Sequence, residues 1–133
     1  YNLALFYFEK AYKMMDKPVY RLMLGKTYYA LKRYQDSLSV IFPLYEKSKN
    51  LDTIKLIALN YYSLKDYRSA VKFLEEVLTQ SMEVNVINLA ADCYLKLGEK
   101  DKAIYLIKKS LELDPTQEKL KKQLNSLDRN KEN

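Results

Sequence analysis

The chain has 133 residues, of which 48% are hydrophobic and 30% charged, with two glycines, three prolines and no histidine. This composition excludes global disorder, and the scarcity of turn residues excludes a β-sandwich or a β-barrel. The net charge of +6 favours acidic partners, anionic lipid or nucleic acid, and the single cysteine excludes an intramolecular disulfide.

Eight helices are predicted from apolar residues that recur at three- and four-residue spacing, with boundaries accurate to about two to four residues. In chain order they span 1–15, 19–31, 35–47, 52–64, 68–80, 85–97, 101–113 and 117–128. Asp52 and Asp66 are expected to cap the fourth and fifth helices, and Gly98 to end the sixth in a left-handed conformation. Pro43 is expected to kink or shorten the third.

The helices belong to a repeat of 33 residues. Tyr28, Tyr61 and Tyr94 are evenly spaced at this interval, and we call them the ladder tyrosines. A glycine or alanine precedes each of them by three positions, and a leucine follows each by three: Gly25, Ala58 and Ala91, then Leu31, Leu64 and Leu97. Such a period predicts stacked pairs of amphipathic helices, packed closely where the small residues lie.

The repeat resembles the tetratricopeptide family. Leu24-Gly25-x-x-Tyr28 matches the leucine–glycine–tyrosine core of its signature, although Arg21 replaces the usual tryptophan. The resemblance implies an all-α, right-handed α-solenoid of antiparallel helix pairs, whose first helices line a concave groove. It implies about three and a half repeats in one domain over 1–128, arranged as a half repeat 1–17, repeats 18–50, 51–83 and 84–116, a capping helix 117–128 and then a polar tail 129–133.

The resemblance also implies where a partner would bind, on the groove side of each first helix. Tyr29 and Tyr62 would form an aromatic pair against an extended peptide, and lysines nearby would attract an acidic one. A solvated helical surface is the competing interpretation of the same side chains. The groove residues selected are Leu22, Lys26, Tyr29, Arg33, Lys55, Leu59, Tyr62, Asn85, Asn88, Asp92, Leu95 and Lys96. The lysine–asparagine clamp for chaperone tails, known from some members of the family, is not matched at the corresponding positions.

The first helix is a second candidate interface because it is apolar on nearly every side. Leu3, Phe6 and Tyr7 are its candidate contact residues. The helix that would complete its hairpin is not in the sequence, so we expect either a preceding segment of a longer chain or a second copy to cover it. A homo-oligomer through this half repeat is therefore an open alternative.

No catalytic, cofactor-binding or metal-binding residues are predicted. Without histidine the chain lacks the usual general base and the commonest metal ligand, and two distant glycines cannot form a phosphate loop. Cys93 has no histidine to activate it and is expected to be a buried thiol. The predicted function is a non-catalytic scaffold that binds a segment or domain of a protein partner, an acidic one in the case favoured by the lysines, and no small-molecule substrate.

Two other functions remain open. A basic helical repeat could bind nucleic acid, although interspersed acidic residues and a repeat signature unlike that of the RNA readers disfavour this. The repeat could also be a purely structural spacer or oligomerisation module. The sequence contains no run of about 18 uncharged apolar residues that would span a membrane. Its bias toward Lys, Tyr, Ile and Asn is typical of AT-rich bacterial genomes, with a cytoplasmic or an envelope location equally open.

Overall fold

The computed structural model describes residues 2–14 and 16–132, with side-chain burial described as far as residue 129. This part of the chain forms eight α-helices and contains no β-strand: α1 (Asn2–Met14), α2 (Pro18–Ala30), α3 (Tyr34–Lys47), α4 (Leu51–Ser63), α5 (Tyr67–Leu78), α6 (Val84–Lys96), α7 (Lys100–Leu113) and α8 (Glu118–Glu132). The all-α class is confirmed. Residues 1 and 15, the predicted limits of the first helix, lie outside the described residues, and the other predicted bounds agree to within two residues except at one end. α8 continues to Glu132, so the predicted end at 128 is too early.

The chain divides into two compact units, residues 1–66 and residues 67–133. In the first unit α1 packs on α2, α2 on α3 and α3 on α4, and α2 also contacts α4. In the second unit α5 packs on α6, α6 on α7 and α7 on α8. The core of each unit is aliphatic, with Ile41 and Ile57 fully buried in the first and Ile87 and Ile107 in the second. A single domain over 1–128 and its repeat boundaries stay predictions.

Small residues lie where the helices of a hairpin approach most closely. A Cβ atom at Gly25 of α2 would overlap the side chain of Ile41 on α3, so this position cannot hold a larger residue without a shift of the helix pair. Ala58 and Ala91, at the same place in later repeats, are also buried. The close packing predicted from the 33-residue pattern is therefore confirmed at Gly25.

Three helices end in the same left-handed conformation, four residues after each ladder tyrosine. Gly98 has φ of 78°, as predicted, but Lys32 and Lys65 adopt it too, with φ of 62° and 63°. In each case the next residue donates its N–H to the ladder tyrosine's carbonyl at 2.8 to 2.9 Å: Arg33 to Tyr28, Asp66 to Tyr61 and Glu99 to Tyr94. This is the Schellman pattern, which satisfies carbonyls that the helix leaves without partners.

The start of α4 corrects one prediction. Asn50 is the N-cap residue, and its side-chain Oδ1 accepts the backbone N–H of Thr53 at 3.0 Å. The prediction of Asp52 as the cap is wrong because the helix begins before it, which places Asp52 in the first turn. A carboxylate in that turn is still favourable, since the helix dipole is positive there.

Arg21 takes over the place of the signature tryptophan by linking three helices. Its guanidinium lies 4.8 Å from the ring centroid of Tyr12 and donates to both carboxylate oxygens of Asp16 at 2.6 and 2.9 Å. A third bond, of 3.3 Å, reaches the carbonyl of Val40, one turn before Pro43. α3 continues through Pro43 to its end, so the expected shortening does not occur.

The first unit has a polar pair inside its core. The Ser37 hydroxyl donates to the carbonyl of Gly25 at 2.7 Å, and the Asn60 amide donates to the Ser37 oxygen and to the Leu56 carbonyl at 2.9 Å each. Both side chains are fully buried. The corresponding residues 33 positions later are Ala70 and Cys93, so the second unit fills the same place with apolar groups.

Replacement of Lys65 by glycine should raise the free energy of unfolding by about 1 kcal/mol, because glycine adopts the left-handed conformation without a Cβ clash. Gly98→Ala should lower it by a similar amount, since open space around the position leaves backbone strain as the only change. Urea denaturation measures both. Lys65→Ala, which removes the charge and keeps the Cβ, is the control, and an equal gain from it would contradict the explanation.

Removal of both members of the buried polar pair should cost less than the sum of the two separate removals. Ser37→Ala should lower the free energy of unfolding by about 1–3 kcal/mol, since the Asn60 amide loses a buried acceptor. The double variant Ser37→Ala with Asn60→Cys should be less destabilised than the sum of its single changes, by about 1 kcal/mol in a double-mutant cycle. Ser39→Ala, an exposed serine of the same helix, is the control. Additive effects would show that the two side chains are not coupled.

Candidate partner-binding surface

The ladder tyrosines hold each first helix against the second helix that precedes it. The hydroxyl of Tyr28 donates to Glu9 at 2.9 Å, and that of Tyr94 donates to Glu75 at 2.8 Å. The residue 19 positions before Tyr61, where the other two tyrosines have a glutamate, is Phe42. The ring centroids of Phe42 and Tyr61 lie 6.3 Å apart in an edge-to-face contact. The ladder tyrosines are therefore scaffold residues, and the hydroxyls of Tyr28 and Tyr94 are already engaged within the chain.

Burial raises the pKa values of two ladder tyrosines and of the Cys93 thiol. It raises the pKa of Tyr28 and of Tyr94 to about 12, with the hydrogen bonds to Glu9 and Glu75 acting in the same direction. The pKa of the Cys93 thiol is raised to about 11 by the same cause. Cys93 is buried, as predicted, and stays protonated at neutral pH, where a thiol is a poor nucleophile.

In the first unit, the predicted groove residues lie on α2, on α4 and just after α2. These two helices contact each other. Leu22, Tyr29, Lys55, Leu59 and Tyr62 are half-buried, and Lys26 and Arg33 are exposed. We call the group Leu22, Lys26, Tyr29, Lys55, Leu59 and Tyr62 the first-helix face. Its partly exposed aromatic and aliphatic side chains are of the kind found at protein interfaces.

Two side chains of the first unit have neighbours that the sequence pattern did not reveal. The ring of Tyr29 lies 5.7 Å, between centroids, from that of Tyr34 at the start of α3. Arg33 donates to Asp36 at 2.9 Å and covers the Tyr28 ring at 4.7 Å from its centroid. Arg33 is therefore engaged with its own hairpin.

In the second unit, Asn88 belongs to an internal network. Its amide nitrogen donates to the Gln117 side chain at 2.8 Å, and its oxygen accepts the Ser110 hydroxyl at 2.6 Å. Gln117 in turn donates to the carbonyl of Asp114 at 2.9 Å. These bonds join α6 to the end of α7 and to the residues before α8. Periodicity could not indicate them, because they link positions 22 and 29 residues apart.

The other predicted groove residues of the second unit also lie on α6. Lys96 forms an ion pair of 2.6 Å with Asp92, one turn earlier, and its ammonium lies 5.4 Å from the ring centroid of Tyr67. Leu95 is half-buried and Asn85 is exposed. The charged groups of this face are thus placed against each other, whereas Lys26 extends from α2 into solvent.

The N-terminal candidates are among the most exposed apolar side chains in the described part of the chain. Leu3 is 68% exposed, and Phe6 and Tyr7 are each 59% exposed. The two rings contact edge to face, with centroids 5.5 Å apart. Their three- and four-residue spacing from Leu3 places them on one face of α1, and α1 has no buried residue while it packs on α2.

The sequence did not indicate the cavities of the described residues, two of which are as follows. One, of about 340 Å³, lies between α2, α3 and α4, and we call it the apolar pocket. It is lined by Pro18, Val19, Leu22, Leu44, Lys47, Ser48, Asn50 and Thr53. The other, of about 440 Å³, is lined by Glu75, Tyr94, Asp101, Lys102, Tyr105 and Leu106. Most of these residues lie outside the first helices, so the family-based selection of groove positions included only Leu22.

The described residues contain no group of three or more cysteine, aspartate or glutamate side chains placed to hold a metal ion. Among the described helices, none combines the length and the apolar character that a bilayer crossing requires.

The chain is similar in sequence to one family model, that of the anaphase-promoting complex, cyclosome, subunit 3. The model matches residues 1–77 and again residues 40–110. A comparison with curated protein sequences finds no match. The two matched ranges overlap, as expected for a chain built from repeats.

Solved structures with the same fold include three bacterial helical-repeat proteins. MamA from Desulfovibrio magneticus RS-1 has a TM-score of 0.87 at 20% identity, over 98% of this chain and 76% of that chain. The Yersinia enterocolitica type III secretion chaperone SycD, in complex with a peptide of the translocator YopD, has a TM-score of 0.77 at 17% identity, over 88% of this chain and 96% of that chain. TTC0263, a TPR protein of Thermus thermophilus, has a TM-score of 0.71 at 20% identity, over 93% of this chain and 71% of that chain. The tetratricopeptide-type fold is thereby confirmed.

The raised tyrosine pKa values predict a loss of stability in alkali. The unfolded phenols ionise near pH 10 and the folded ones near 12, so stability present below pH 10 is lost as the pH rises from 10 to 12. We expect a loss of about 1 kcal/mol per tyrosine at pH 11, measured by urea denaturation at pH 8 and pH 11. The variant Tyr28→Phe with Tyr94→Phe should show a smaller pH dependence. Tyr105→Phe, at an exposed tyrosine, is the control, and an equal effect from it would contradict the assignment.

Proposed function

Because the chain belongs to the family of anaphase-promoting complex, cyclosome, subunit 3, a family of tetratricopeptide-type repeats, we propose that it is a non-catalytic scaffold that binds a segment of another protein. A protein with the same fold, SycD, is a chaperone whose structure includes a peptide of its translocator. That complex supports a peptide-sized partner for the repeat. It does not extend to the identity of the partner, which differs with the surface residues of each protein.

The observation that carries the proposal is the first-helix face of the first unit. Here Leu22, Tyr29, Leu59 and Tyr62 are half-buried beside the exposed ammonium of Lys26. Large, partly exposed apolar side chains beside a cation can bury further area against a partner and select its charge. The α6 residues contribute less in this proposal, since Asn88 and the Asp92–Lys96 pair bond within the chain.

The exposed face of α1 is the second contact in this proposal. Leu3, Phe6 and Tyr7 place three large apolar side chains on one side of a helix, and a partner that covers them gains the hydrophobic free energy of that area. A second copy of the chain, or another helix of the partner, would serve equally. Sedimentation of the wild type distinguishes these two occupants.

The non-catalytic part of the proposal rests on which reactive groups the chain has. It contains no histidine, and its only thiol, Cys93, is buried with a raised pKa. The two tyrosines with strongly raised pKa values, Tyr28 and Tyr94, are hydrogen-bonded to glutamates inside the scaffold. These shifts have a structural cause. Tyr94 and Glu75 line the cavity of about 440 Å³, but Tyr28 and Cys93 are not among the residues lining it, so the groups with raised pKa values do not form one catalytic set.

The proposal predicts that capture of partner proteins depends on the first-helix face. The triple variant Tyr29→Ala, Lys55→Ala and Tyr62→Ala should lose at least about 90% of the partner bound by the wild type, as expected when two interface aromatics are truncated. The measurement is affinity capture followed by quantitative mass spectrometry. Circular dichroism melting verifies that the variant is folded.

Two further variants complete the design. Lys72→Ala with Tyr105→Ala and Lys109→Ala changes the same residue types on second helices and should retain the partner. Phe6→Ser with Tyr7→Ser tests the α1 face and should weaken capture only where that face takes part. Recovery of the same proteins by the wild type and by the first-helix variant would show that the first-helix face is not the binding surface.

A further inference from the structure

Four of the eight residues that line the apolar pocket of the first unit are apolar: Pro18, Val19, Leu22 and Leu44. Its volume of about 340 Å³ lies in the range of about 300–1,000 Å³ typical of ligand-binding pockets. Leu44 forms its buried base, while Val19 is 53% exposed and Leu22 is half-buried at its side. Binding is stabilised by the hydrophobic effect when an apolar side chain of a partner displaces water from these apolar residues.

The residues that line the apolar pocket carry positive charge only. Lys47 is the one charged residue among them, and none of them has a carboxylate. α2 and α4 both begin at this pocket, where Pro18 and Asn50 line it, and each contributes the positive end of a helix dipole. α3 ends there with a negative pole, but two positive poles and the Lys47 ammonium outweigh it.

The surrounding surface offsets this positive charge only in part. Asp52 lies in the first turn of α4, at the positive pole of that helix. Asp16 lines a small cavity next to the pocket, together with Lys47, and both of its oxygens already accept hydrogen bonds from Arg21. Residues 1–66 contain 11 lysines and arginines against 6 aspartates and glutamates, so most of the net charge of +6 belongs to this unit. A negatively charged partner is therefore complementary to the rim.

We infer that the apolar pocket docks one aliphatic or aromatic side chain of a partner protein segment whose neighbouring residues are aspartate or glutamate. The inference rests on the proposed function and adds to it a position on the surface and a chemistry for the partner. The apolar side chain fills the space between Val19, Leu22 and Leu44, and an adjacent carboxylate lies near Lys47 and the two helix N-termini.

The experiment uses the whole chain as bait for a phage-displayed library of random nonapeptides. The expected result is enrichment of sequences that place Asp or Glu within two positions of Leu, Ile, Phe or Met. A second selection against Lys47→Glu should lose the acidic preference and gain Lys or Arg at the same positions. Lys47 and Val19 are exposed, so changes there test the pocket in a folded protein.

Binding of a selected peptide is then measured by fluorescence anisotropy. Val19→Asp and Lys47→Glu should each weaken it at least tenfold, and Lys102→Glu, in the larger cavity of the second unit, should leave it unchanged. Binding should also weaken with added salt, because part of it is electrostatic. Selected peptides without acidic residues, or with affinities unchanged by Lys47→Glu, would overturn the inference.

The outcomes separate this inference from the proposed function. Peptides that lose affinity with Tyr29→Ala and Tyr62→Ala, but not with the pocket variants, would overturn the pocket and support the first-helix face. Failure to select any peptide would also overturn the pocket. The capture of whole proteins would then decide the proposed function independently.

Discussion

Each ladder tyrosine connects the local structure of a helix to the packing of the repeat. Its carbonyl accepts the N–H that closes the left-handed helix end, and its side chain contacts the second helix of the preceding repeat. The same residue therefore takes part both in the end of its own helix and in the contact with the preceding helix. The small residue three positions earlier allows close approach to the second helix of its own hairpin, as at Gly25.

The sequence predicted the features that depend on the spacing of residues along one helix. It did not predict which of two neighbouring residues caps a helix, nor the contacts between residues far apart in sequence. Helix limits follow from apolar periodicity and agreed closely, and Gly98 was identified because only a left-handed position favours glycine at a helix end. Asn50 and Asp52 are both good caps, and only the packing of α4 decides that Asn50 takes the role. The partners of Asn88 and the lining of the apolar pocket come from separate helices, so no periodic pattern specifies them.

The two units use different chemistry at an equivalent place in the core. The first has a hydrogen-bonded serine and asparagine, and the second has alanine and cysteine. The side-chain oxygen Oδ1 of Asn60 has no hydrogen-bond partner among the described residues, so this pair is an incompletely satisfied polar group in an apolar surrounding. Such a group contributes little net stability. We expect it to disfavour packings of α3 on α4 in which the serine and the asparagine do not meet.

Recognition, unlike the scaffold, depends on residues that the repeat does not keep. The positions 33 residues after Val19, Leu22 and Lys47 hold Asp52, Lys55 and Gln80, so neither the apolar wall nor the cation recurs. A partner that contacted only the residues repeated every 33 positions would bind each repeat equally and would have no defined register. The apolar pocket is formed by α2, α3 and α4, and its apolar wall and cation do not recur 33 residues later. In the proposed mode of binding, a segment anchored there would meet the rest of the first-helix face in one register. In that mode, the excess positive charge of the same unit would attract an acidic segment to the anchor before the contacts form.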